Sequence, residues 1–329
     1  MSSSQSTDSE GNPLKSYRGN CHCGAFIFTL LVPEITTVMY CNCFNCRKKG
    51  YLWLIPDTTK GHKFEVVKDE GKLTEYVPGP KGTKYNFCKV CGTGVYAAYK
   101  KEQNEPGKEG EGVLVNVRAL QELKIWDLEV KEFDGKSIPP PYQPAPFDGP
   151  EPTAEVENGV VYHGSCHCGA VKVAVKTKGP LDKTYKERVI DCNCSVCQRG
   201  GYIWIYPSSS EQLSFTPQSR ANLTSYACIS KLMCKTFCKT CGVHLTNEFN
   251  SAATEDEIEA AMKGKNGDMV MRWIKGVFPI NIRCLDRCPG DDDWELEKCV
   301  KELKVEKGDG WNMIQPGYFA PSGGGNLSE

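Results

Sequence analysis

The sequence has no long apolar run, no excess of charge of either sign and few histidines. None of its 329 residues lies in an uninterrupted apolar stretch of about 18, the length that a membrane-spanning helix requires. The formal net charge is −1, which argues against a general nucleic-acid-binding protein. The opening segment lacks the basic and apolar regions of a secretory signal. We therefore expect a cytoplasmic protein without a membrane or nucleic-acid partner.

Cysteine, by contrast, is abundant, with 19 cysteines against five histidines. Disulfide frameworks are typical of exported proteins, and this sequence shows no export signal. The cysteines are therefore expected to serve metal ligation or thiol chemistry.

Five sequence blocks occur twice in the same order, which indicates an internal duplication. The pairs are YRGNCHCGA at 17–25 and YHGSCHCGA at 162–170, CNCFNCRKKGYLWLI at 41–55 and CNCSVCQRGGYIWI at 192–205, FCKVCG at 87–92 and FCKTCG at 237–242, VLVNVRAL at 113–120 and FPINIRCL at 278–285, and FDGKSIPPPY at 133–142 with a looser echo, GDGWNMIQPGY, at 308–318. The chain is therefore expected to contain the same domain twice.

The duplication predicts one domain at residues 14–142 and a second at 157–320. Between them, residues 143–156 are rich in proline, which favours an extended linker. Residues 1–13 are polar and serine-rich, and 321–329 are rich in glycine, so both are expected to be disordered or flexible tails.

Short β-branched or aromatic runs, bounded by turn residues, dominate both repeats. Examples are AFIFTLLV at 25–32 and LTEYV at 73–77. One helix is expected at 253–264, in an insertion that the first repeat lacks, because acidic residues open this stretch and Gly264 ends it. The sequence thus predicts an all-β fold, mainly strands with one inserted helix.

Each repeat has seven cysteines in three clusters, and the two outer clusters together supply four thiolates. Four thiolates form the ligand set of a closed structural zinc site. We expect C-x-C to lie on a strand, where alternate side chains face one way, and C-x-x-C-G to form a turn that its glycine permits. The predicted closed sites are Cys21, Cys23, Cys88 and Cys91, and Cys166, Cys168, Cys238 and Cys241.

The middle cluster, C-x-C-x-x-C, supplies only three thiolates. A zinc ion held by three protein ligands keeps one position open, which is typical of a catalytic site, and a substrate thiolate suits that position. The alternative is a structural site that a His or Asp closes, while the spacing disfavours an iron–sulfur cluster. The predicted catalytic residues are Cys41, Cys43 and Cys46, and Cys192, Cys194 and Cys197. Two sites in each repeat predict four zinc ions per chain.

Several other residues are candidates for supporting roles. Arg47, Lys48 and Lys49 follow the first triad and Arg199 follows the second, where they either favour thiolates and receive a substrate carboxylate or form a solvated basic turn. The recurring N-x-R pairs are pocket groups or strand-edge hydrogen-bonding residues: Asn116 with Arg118, and Asn281 with Arg283. Core packing is expected of Trp53 and Trp204. The unmatched cysteines are expected to be buried thiols, with a disulfide as the alternative; they are Cys228, Cys234, Cys284, Cys288 and Cys299.

The motifs G-x-C-x-C-G, C-x-C-x-x-C-R-x-x-G, F-C-x-x-C-G, N-x-R and D-G-x-x-P-x-Y resemble those of the glutathione-dependent formaldehyde-activating enzyme family, which includes centromere protein V-like domains. The resemblance covers nearly the whole chain as two copies and includes all seven family cysteines in each. It implies a β-tent fold and a zinc-dependent carbon–sulfur lyase that joins glutathione and formaldehyde into S-hydroxymethylglutathione. The second copy departs from the pattern at Gln198, where the first has Arg47.

The resemblance implies the same division between four-cysteine structural sites and three-cysteine catalytic sites. We accordingly expect a lyase acting on adducts of glutathione, or another small thiol, with an aldehyde or similar electrophile. Arg47 and Arg199 are the candidates for binding glutathione. A non-catalytic zinc-binding interaction module and a glutathione carrier are the alternative functions. The chain is expected to be a monomer with pseudo-dimeric repeats or a homodimer.

Overall fold

The computed structural model describes residues 6–80, 82–100, 110–228, 231–263, 267–291 and 294–308. They divide into two compact units. The first contains the described part of residues 1–141 with Gln198–Gly200, and the second contains the described parts of 142–197 and 201–313. The predicted tail at 321–329 and most of the block at 308–318 lie outside the described residues. No helix within the described ranges is both long enough and apolar enough to cross a membrane.

In the described residues, the first unit has ten strands and one short helix, α1 (Phe44–Lys49). The strands are β1 (Lys15–Asn20), β2 (Phe26–Val32), β3 (Thr37–Cys41), β4 (Trp53–Leu54), β5 (Lys63–Asp69), β6 (Leu73–Tyr76), β7 (Lys84–Cys88), β8 (Gly94–Lys100), β9 (Glu111–Asn116) and β10 (Glu129–Phe133). They form a three-stranded sheet, β1-β2-β5, and a seven-stranded sheet in the order β10-β3-β4-β9-β8-β7-β6. All neighbouring strands are antiparallel except β10, which runs parallel to β3.

The second unit repeats this arrangement with eleven strands in the part of the chain that the structure describes. They are β11 (Gly159–Ser165), β12 (Lys172–Lys178), β13 (Val189–Cys192), β14 (Ile203–Ile205), β15 (Leu213–Phe215), β16 (Leu223–Ala227), β17 (Met233–Cys238), β18 (His244–Phe249), β19 (Ile280–Asn281), β20 (Leu285–Arg287) and β21 (Glu306–Gly308). The smaller sheet has the order β15-β12-β11-β20. The seven-stranded sheet, β21-β13-β14-β19-β18-β17-β16, has the same strand order as its counterpart in the first unit. The predicted mainly β fold in two repeats is confirmed.

The helices are more numerous than the sequence predicted. Besides α1, they are α2 (Ser195–Gly200), α3 (Glu255–Met262), α4 (Gly267–Lys275) and α5 (Leu296–Glu302). The predicted inserted helix is α3, which begins with a capping box in which Thr254 and Glu257 satisfy each other's backbone N–H groups. The same insertion also contains α4, which we did not predict.

Close packing in the smaller sheet of the first unit explains one of the repeated glycines. Gly19 on β1 lies against the ring of Phe28 on β2, and a Cβ atom at position 19 would overlap that ring. Phe28 is fully buried and also contacts Phe64 of β5, with ring centroids 5.1 Å apart. A glycine at this position therefore allows the aromatic core to approach the backbone of β1.

Residues 6–13, which belong to the segment predicted to be a disordered tail, form a turn. The Asp8 carboxylate accepts hydrogen bonds from the backbone N–H groups of Glu10 and Asn12 at 2.9 and 2.8 Å. Asp8 is buried, and Thr7 pairs with Pro13 across the turn. A short acidic side chain that binds its own backbone thus closes a turn that polar composition alone did not reveal.

Candidate metal centres

The two outer cysteine clusters of each repeat come together into one four-sulfur group. These groups are Cys21, Cys23, Cys88 and Cys91, and Cys166, Cys168, Cys238 and Cys241, with all Sγ atoms in each group within 4.8 Å of one another. Cys23 Sγ lies 3.6 Å from the Sγ atoms of both Cys21 and Cys88. A tetrahedral zinc ion with Zn–S bonds of about 2.3 Å separates its sulfurs by about 3.8 Å. The sulfur spacing therefore fits zinc.

The C-x-C pairs lie in turns, and our prediction that they lie on strands was wrong. The first strand ends at Asn20, and Gly24 donates its backbone N–H to the Cys21 carbonyl at 2.9 Å. Gly24 has a φ of 76°, a left-handed conformation that glycine adopts readily. The chain reverses here to enter the second strand of the hairpin, and this reversal brings Cys21 and Cys23 together.

The C-x-x-C-G segments form the predicted turns. Gly92 donates its backbone N–H to the Cys88 carbonyl at 2.8 Å and has a φ of 73°. Thr93 connects this turn to the C-x-C turn, because its hydroxyl accepts hydrogen bonds from the backbone N–H of His22 at 3.1 Å and from Cys91 Sγ at 3.3 Å. The four cysteines thus join two turns that are far apart in sequence.

Each triad lies where a strand passes into a short helix. In the first repeat β3 ends at Cys41, Cys43 is the N-cap of α1, and Cys46 is on the helix. In the second repeat Cys192, Cys194 and Cys197 occupy the same positions relative to β13 and α2. The three Sγ atoms of each triad are within 4.8 Å of one another, so each triad could hold a metal ion. Among the described residues, no fourth His, Cys, Asp or Glu joins either group.

The triad thiols strongly affect one another's protonation. Hydrogen bonds from Cys41 and Cys46 lower the pKa of Cys43 to about 3, against desolvation by burial. The hydrogen bond with Cys43 is the main reason that the pKa of Cys41 is raised to about 11. In the second triad the hydrogen bond with Cys192 is the main reason that the pKa of Cys194 is raised to about 11. Crowded thiols of this kind release protons when a cation binds, because metals bind thiolates.

Aromatic side chains line the first triad, a role that we did not predict for them. Trp53 is only 2% exposed, and its indole N–H donates to Cys46 Sγ at 3.3 Å. The Tyr85 hydroxyl lies 3.9 Å from the same sulfur, and the Tyr51 ring packs on Trp53 with centroids 4.4 Å apart. Trp53 thus packs in the core, as predicted, and also contacts the candidate site. Its position seven residues after Cys46, repeated by Trp204 after Cys197, is the signal that could have revealed this contact.

The second triad also packs on a tyrosine and a tryptophan. The rings of Tyr202 and Trp204 stack with centroids 4.4 Å apart, and both belong to the buried cluster that contains Cys194 and Cys197. Cys228 packs against this cluster as well. Both candidate sites are therefore packed against buried aromatic side chains.

The basic residues after the triads are buried, which excludes the solvated basic turn that we considered. Arg47, Lys48 and Lys49 are all buried, and the Arg47 guanidinium lies 4.5 Å from the centroid of the Phe44 ring. Arg199 is buried too, and within the first compact unit its Nε donates to the Asn20 carbonyl at 3.0 Å. Their predicted part in binding glutathione stays a prediction.

The N-x-R pairs bind the backbone that carries the triads. Asn116 Nδ2 donates to the Gly94 carbonyl at 2.8 Å, and its Oδ1 accepts from the backbone N–H of Leu52 at 3.4 Å. Arg118 Nε donates to the Gly50 carbonyl, at the end of α1. In the second repeat, Asn281 Oδ1 accepts from the backbone N–H of Ile203 at 3.1 Å, and Arg283 Nε donates to the Gly201 carbonyl at 2.6 Å. Of the two interpretations left open, the structure thus favours backbone hydrogen bonding, which positions the helix after each triad.

None of the 19 cysteines, all of which lie in the described ranges, forms a disulfide. Cys234, Cys284 and Cys299 are buried, as expected of the cysteines outside the repeated pattern. Cys228 and Cys288 are partly exposed.

Two comparisons relate this chain to known proteins. A crystal structure of a Rhodobacter sphaeroides protein is similar to 40% of this chain and to 95% of its own chain, with 22% sequence identity and a TM-score of 0.27. The family described as glutathione-dependent formaldehyde-activating enzyme matches twice, over residues 16–127 and 161–268. The chain therefore belongs to the glutathione-dependent formaldehyde-activating enzyme family, as a member with two tandem copies of the family domain.

Proposed function

We propose that this protein is a zinc-dependent carbon–sulfur lyase that makes or breaks adducts of glutathione, or another small thiol, with an aldehyde. The observation that carries the proposal is the pair of cysteine triads. Each gathers three thiols without a fourth ligand from the described residues, and each belongs to a copy of the family domain. Formation of S-hydroxymethylglutathione from glutathione and formaldehyde is the reaction we expect.

We assign zinc to all four cysteine groups, with two closed and two open sites. When bound at a triad, zinc supplies a Lewis acid that favours the thiolate form of a thiol at the position that the protein leaves open. The closed groups would connect distant turns, and the triads would take part in the reaction. The sulfur spacing supports this assignment, and so does the effect of neighbouring thiols on the pKa of Cys43.

The proposed reaction needs no oxidant or reductant. In the synthetic direction the thiol loses its proton, and its sulfur forms a bond to the carbonyl carbon. The electron pair of the C=O π bond moves to oxygen, which takes a proton to become the hydroxyl of the product. The reverse direction breaks the carbon–sulfur bond and restores the carbonyl and the thiol.

The surrounding residues would orient the first triad and keep water away from it. The indole N–H of Trp53 holds the Cys46 sulfur from one direction, and the Tyr85 hydroxyl lies near the same atom. Arg118 holds the end of α1 through Gly50. These contacts preorganise the triad. Their electrostatic effect is larger in a buried site than in water, because the local dielectric constant is lower.

A cytoplasmic location fits this chemistry. A reducing compartment keeps thiols from pairing, and none of the 19 cysteines forms a disulfide in the described structure. A small-molecule thiol and an electrophile would be the partners.

An exchange measurement tests the proposed function. The rate at which the protein interconverts glutathione plus formaldehyde and S-hydroxymethylglutathione is measurable by NMR exchange spectroscopy with ¹³C-formaldehyde. We expect the double variant Cys43→Ala, Cys194→Ala to fall to the uncatalysed rate. Cys288→Ala, which changes a cysteine outside the four groups, is the matched control and should retain the activity. Full activity in the double variant would contradict the proposal, and thiol binding without turnover would instead favour a carrier.

A further inference from the structure

A lysine ammonium lies on the tyrosine ring that follows the first triad. Lys49, the last residue of α1, is 4% exposed, and its Nζ lies 5.4 Å from the centroid of the Tyr51 ring and 4.9 Å from that of Phe87. Tyr51 belongs to the same buried cluster as Cys41 and Cys46. A positive charge is therefore held next to the aromatic side of the triad.

A lysine ammonium also lies on the corresponding tyrosine of the second repeat, but it comes from a different element. Lys235 is on β17, and its Nζ lies 5.8 Å from the centroid of the Tyr202 ring and 4.9 Å from that of Trp204. Tyr202 belongs to the cluster that contains Cys194 and Cys197. Both repeats thus hold one ammonium on the tyrosine five residues after the last triad cysteine.

The two lysines are not equivalent in sequence. Alignment of the repeated blocks places Gly200 where the first repeat has Lys49. Lys235 instead occupies the position of Tyr85 in the first repeat. Tyr85 pairs with Tyr76 on the neighbouring strand, and Lys235 pairs in the same way with Tyr226. One repeat therefore supplies the cation from the helix and the other supplies it from the strand, and the position on the tyrosine ring is retained.

A need for positive charge near each triad explains why both repeats place a lysine ammonium on the tyrosine ring, although from different elements. Moving an ammonium from water to an aromatic surface sacrifices hydration, so a merely space-filling role would be met better by an apolar side chain. Three thiolates around one divalent cation carry an excess negative charge, and an anionic fourth ligand adds another. Lys235 lies close to the second triad, because the Trp204 ring under its ammonium belongs to the buried cluster that contains Cys194 and Cys197.

We propose that Lys49 and Lys235 are the counter-charges of the first and second triads, and that each stabilises an anionic thiolate as the fourth ligand at its own site. The inference rests on the proposed function, which gives each triad an open position. Both lysines act as positioning residues through their charge, without contact with the reacting atoms.

Thiol binding to the cobalt(II)-substituted full-length protein tests this inference without relying on activity. Cobalt bound by sulfur absorbs visible light, and its spectrum changes when the fourth ligand changes. The probes are 2-mercaptoethanol, which binds as a thiolate without another charged group, and imidazole, which binds as a neutral ligand. Lys49→Met and Lys235→Met should each weaken 2-mercaptoethanol binding at one of the two triads on the order of tenfold, with imidazole binding unchanged.

Two further variants separate charge from packing. Lys49→Arg retains the charge and should bind 2-mercaptoethanol as the parent protein does. Lys84→Met removes an exposed lysine beside Tyr85 that pairs with Glu75, and as the matched control it should change neither affinity.

The outcomes distinguish this inference from the proposed function. Unchanged 2-mercaptoethanol affinity in both Lys→Met variants, with a responsive parent protein, would overturn the inference and leave the function standing. Equal weakening of 2-mercaptoethanol and imidazole would also overturn it, because loss of a counter-charge affects the anion selectively. A parent protein whose cobalt spectrum responds to neither probe would overturn the proposed open sites and, with them, the inference.

Discussion

Removal of one cysteine from a closed group should destabilise the fold more than removal of one from a triad. The closed group of the first repeat joins Cys23 and Cys88, whose sulfurs are 3.6 Å apart although 65 residues separate them. The first triad spans only residues 41–46. A metal bridge restricts the unfolded chain more when it closes a longer loop, and the entropy of closure grows with the logarithm of loop length. The free energy of closure therefore differs by about 2 kcal/mol between the long loop of the closed group and the short loop of the triad.

The greater burial of the closed-group cysteine adds to the expected difference in stability. Cys88 is fully buried and Cys43 is partly exposed, so truncation at residue 88 also leaves the larger packing defect. We therefore expect Cys88→Ala to lower the free energy of unfolding by at least about 2 kcal/mol more than Cys43→Ala does. Cys238→Ala and Cys194→Ala should show the same contrast in the second repeat, where the closed group joins sulfurs of residues 70 apart.

Urea unfolding of the zinc-loaded full-length variants, followed by far-ultraviolet circular dichroism, measures the contrast. A difference of about 2 kcal/mol shifts the midpoint by about 1 M urea for a typical denaturant slope. Metal analysis of each variant verifies that only the altered site has lost its ion. Equal destabilisation by Cys88→Ala and Cys43→Ala, or a larger effect of Cys43→Ala, would refute the division into structural and reactive sites.

Three further predictions concern the metals and the residues that position them. A chromophoric chelator should remove the triad ions in a fast phase and the closed-site ions in a slow phase, because three-ligand sites have an open coordination position; a single phase would count against two kinds of site. Trp53→Phe removes the indole donor to Cys46 and should weaken metal binding at the first triad by about 1.5–3 kcal/mol, measured by competitive titration, whereas unchanged binding would show that this hydrogen bond is unimportant. Asn281→Leu leaves the buried backbone N–H of Ile203 without its acceptor and should cost about 1–3 kcal/mol of stability in thermal unfolding, so an unchanged melting temperature would contradict the positioning role of the N-x-R pair.

Local sequence signals were sufficient for about half of the strands in the described residues and for the grouping of the cysteines. The run LTEYV predicted β6, and AFIFTLLV predicted β2, because strand residues bounded by turn residues are a short-range signal. The four-cysteine groups were predictable because the two outer clusters of each repeat together supply the four thiolates of a closed zinc site, although their members are far apart in the chain. The structure confirms that the two outer clusters of each repeat form one four-sulfur group.

The features that the sequence did not reveal depend on contacts between distant segments. The parallel pairing of β10 with β3 joins residues 129–133 to 37–41, and no local pattern indicates it. The placement of C-x-C in a turn depends on the β1–β2 hairpin, since the motif alone is compatible with a strand. The ammonium on each tyrosine comes from Lys49 in one repeat and Lys235 in the other, so sequence alignment of the repeats conceals the correspondence.

X-ray absorption at the zinc edge, with and without glutathione, tests the central claim most directly. Two closed and two open sites in the full-length protein predict an average of about 3.5 sulfur ligands per zinc ion without a thiol. Saturation with glutathione should raise the average to about 4, because a fourth sulfur enters each triad. An average of 4 before glutathione is added, or an average that glutathione does not change, would contradict the claim that the triads are open sites for a thiol.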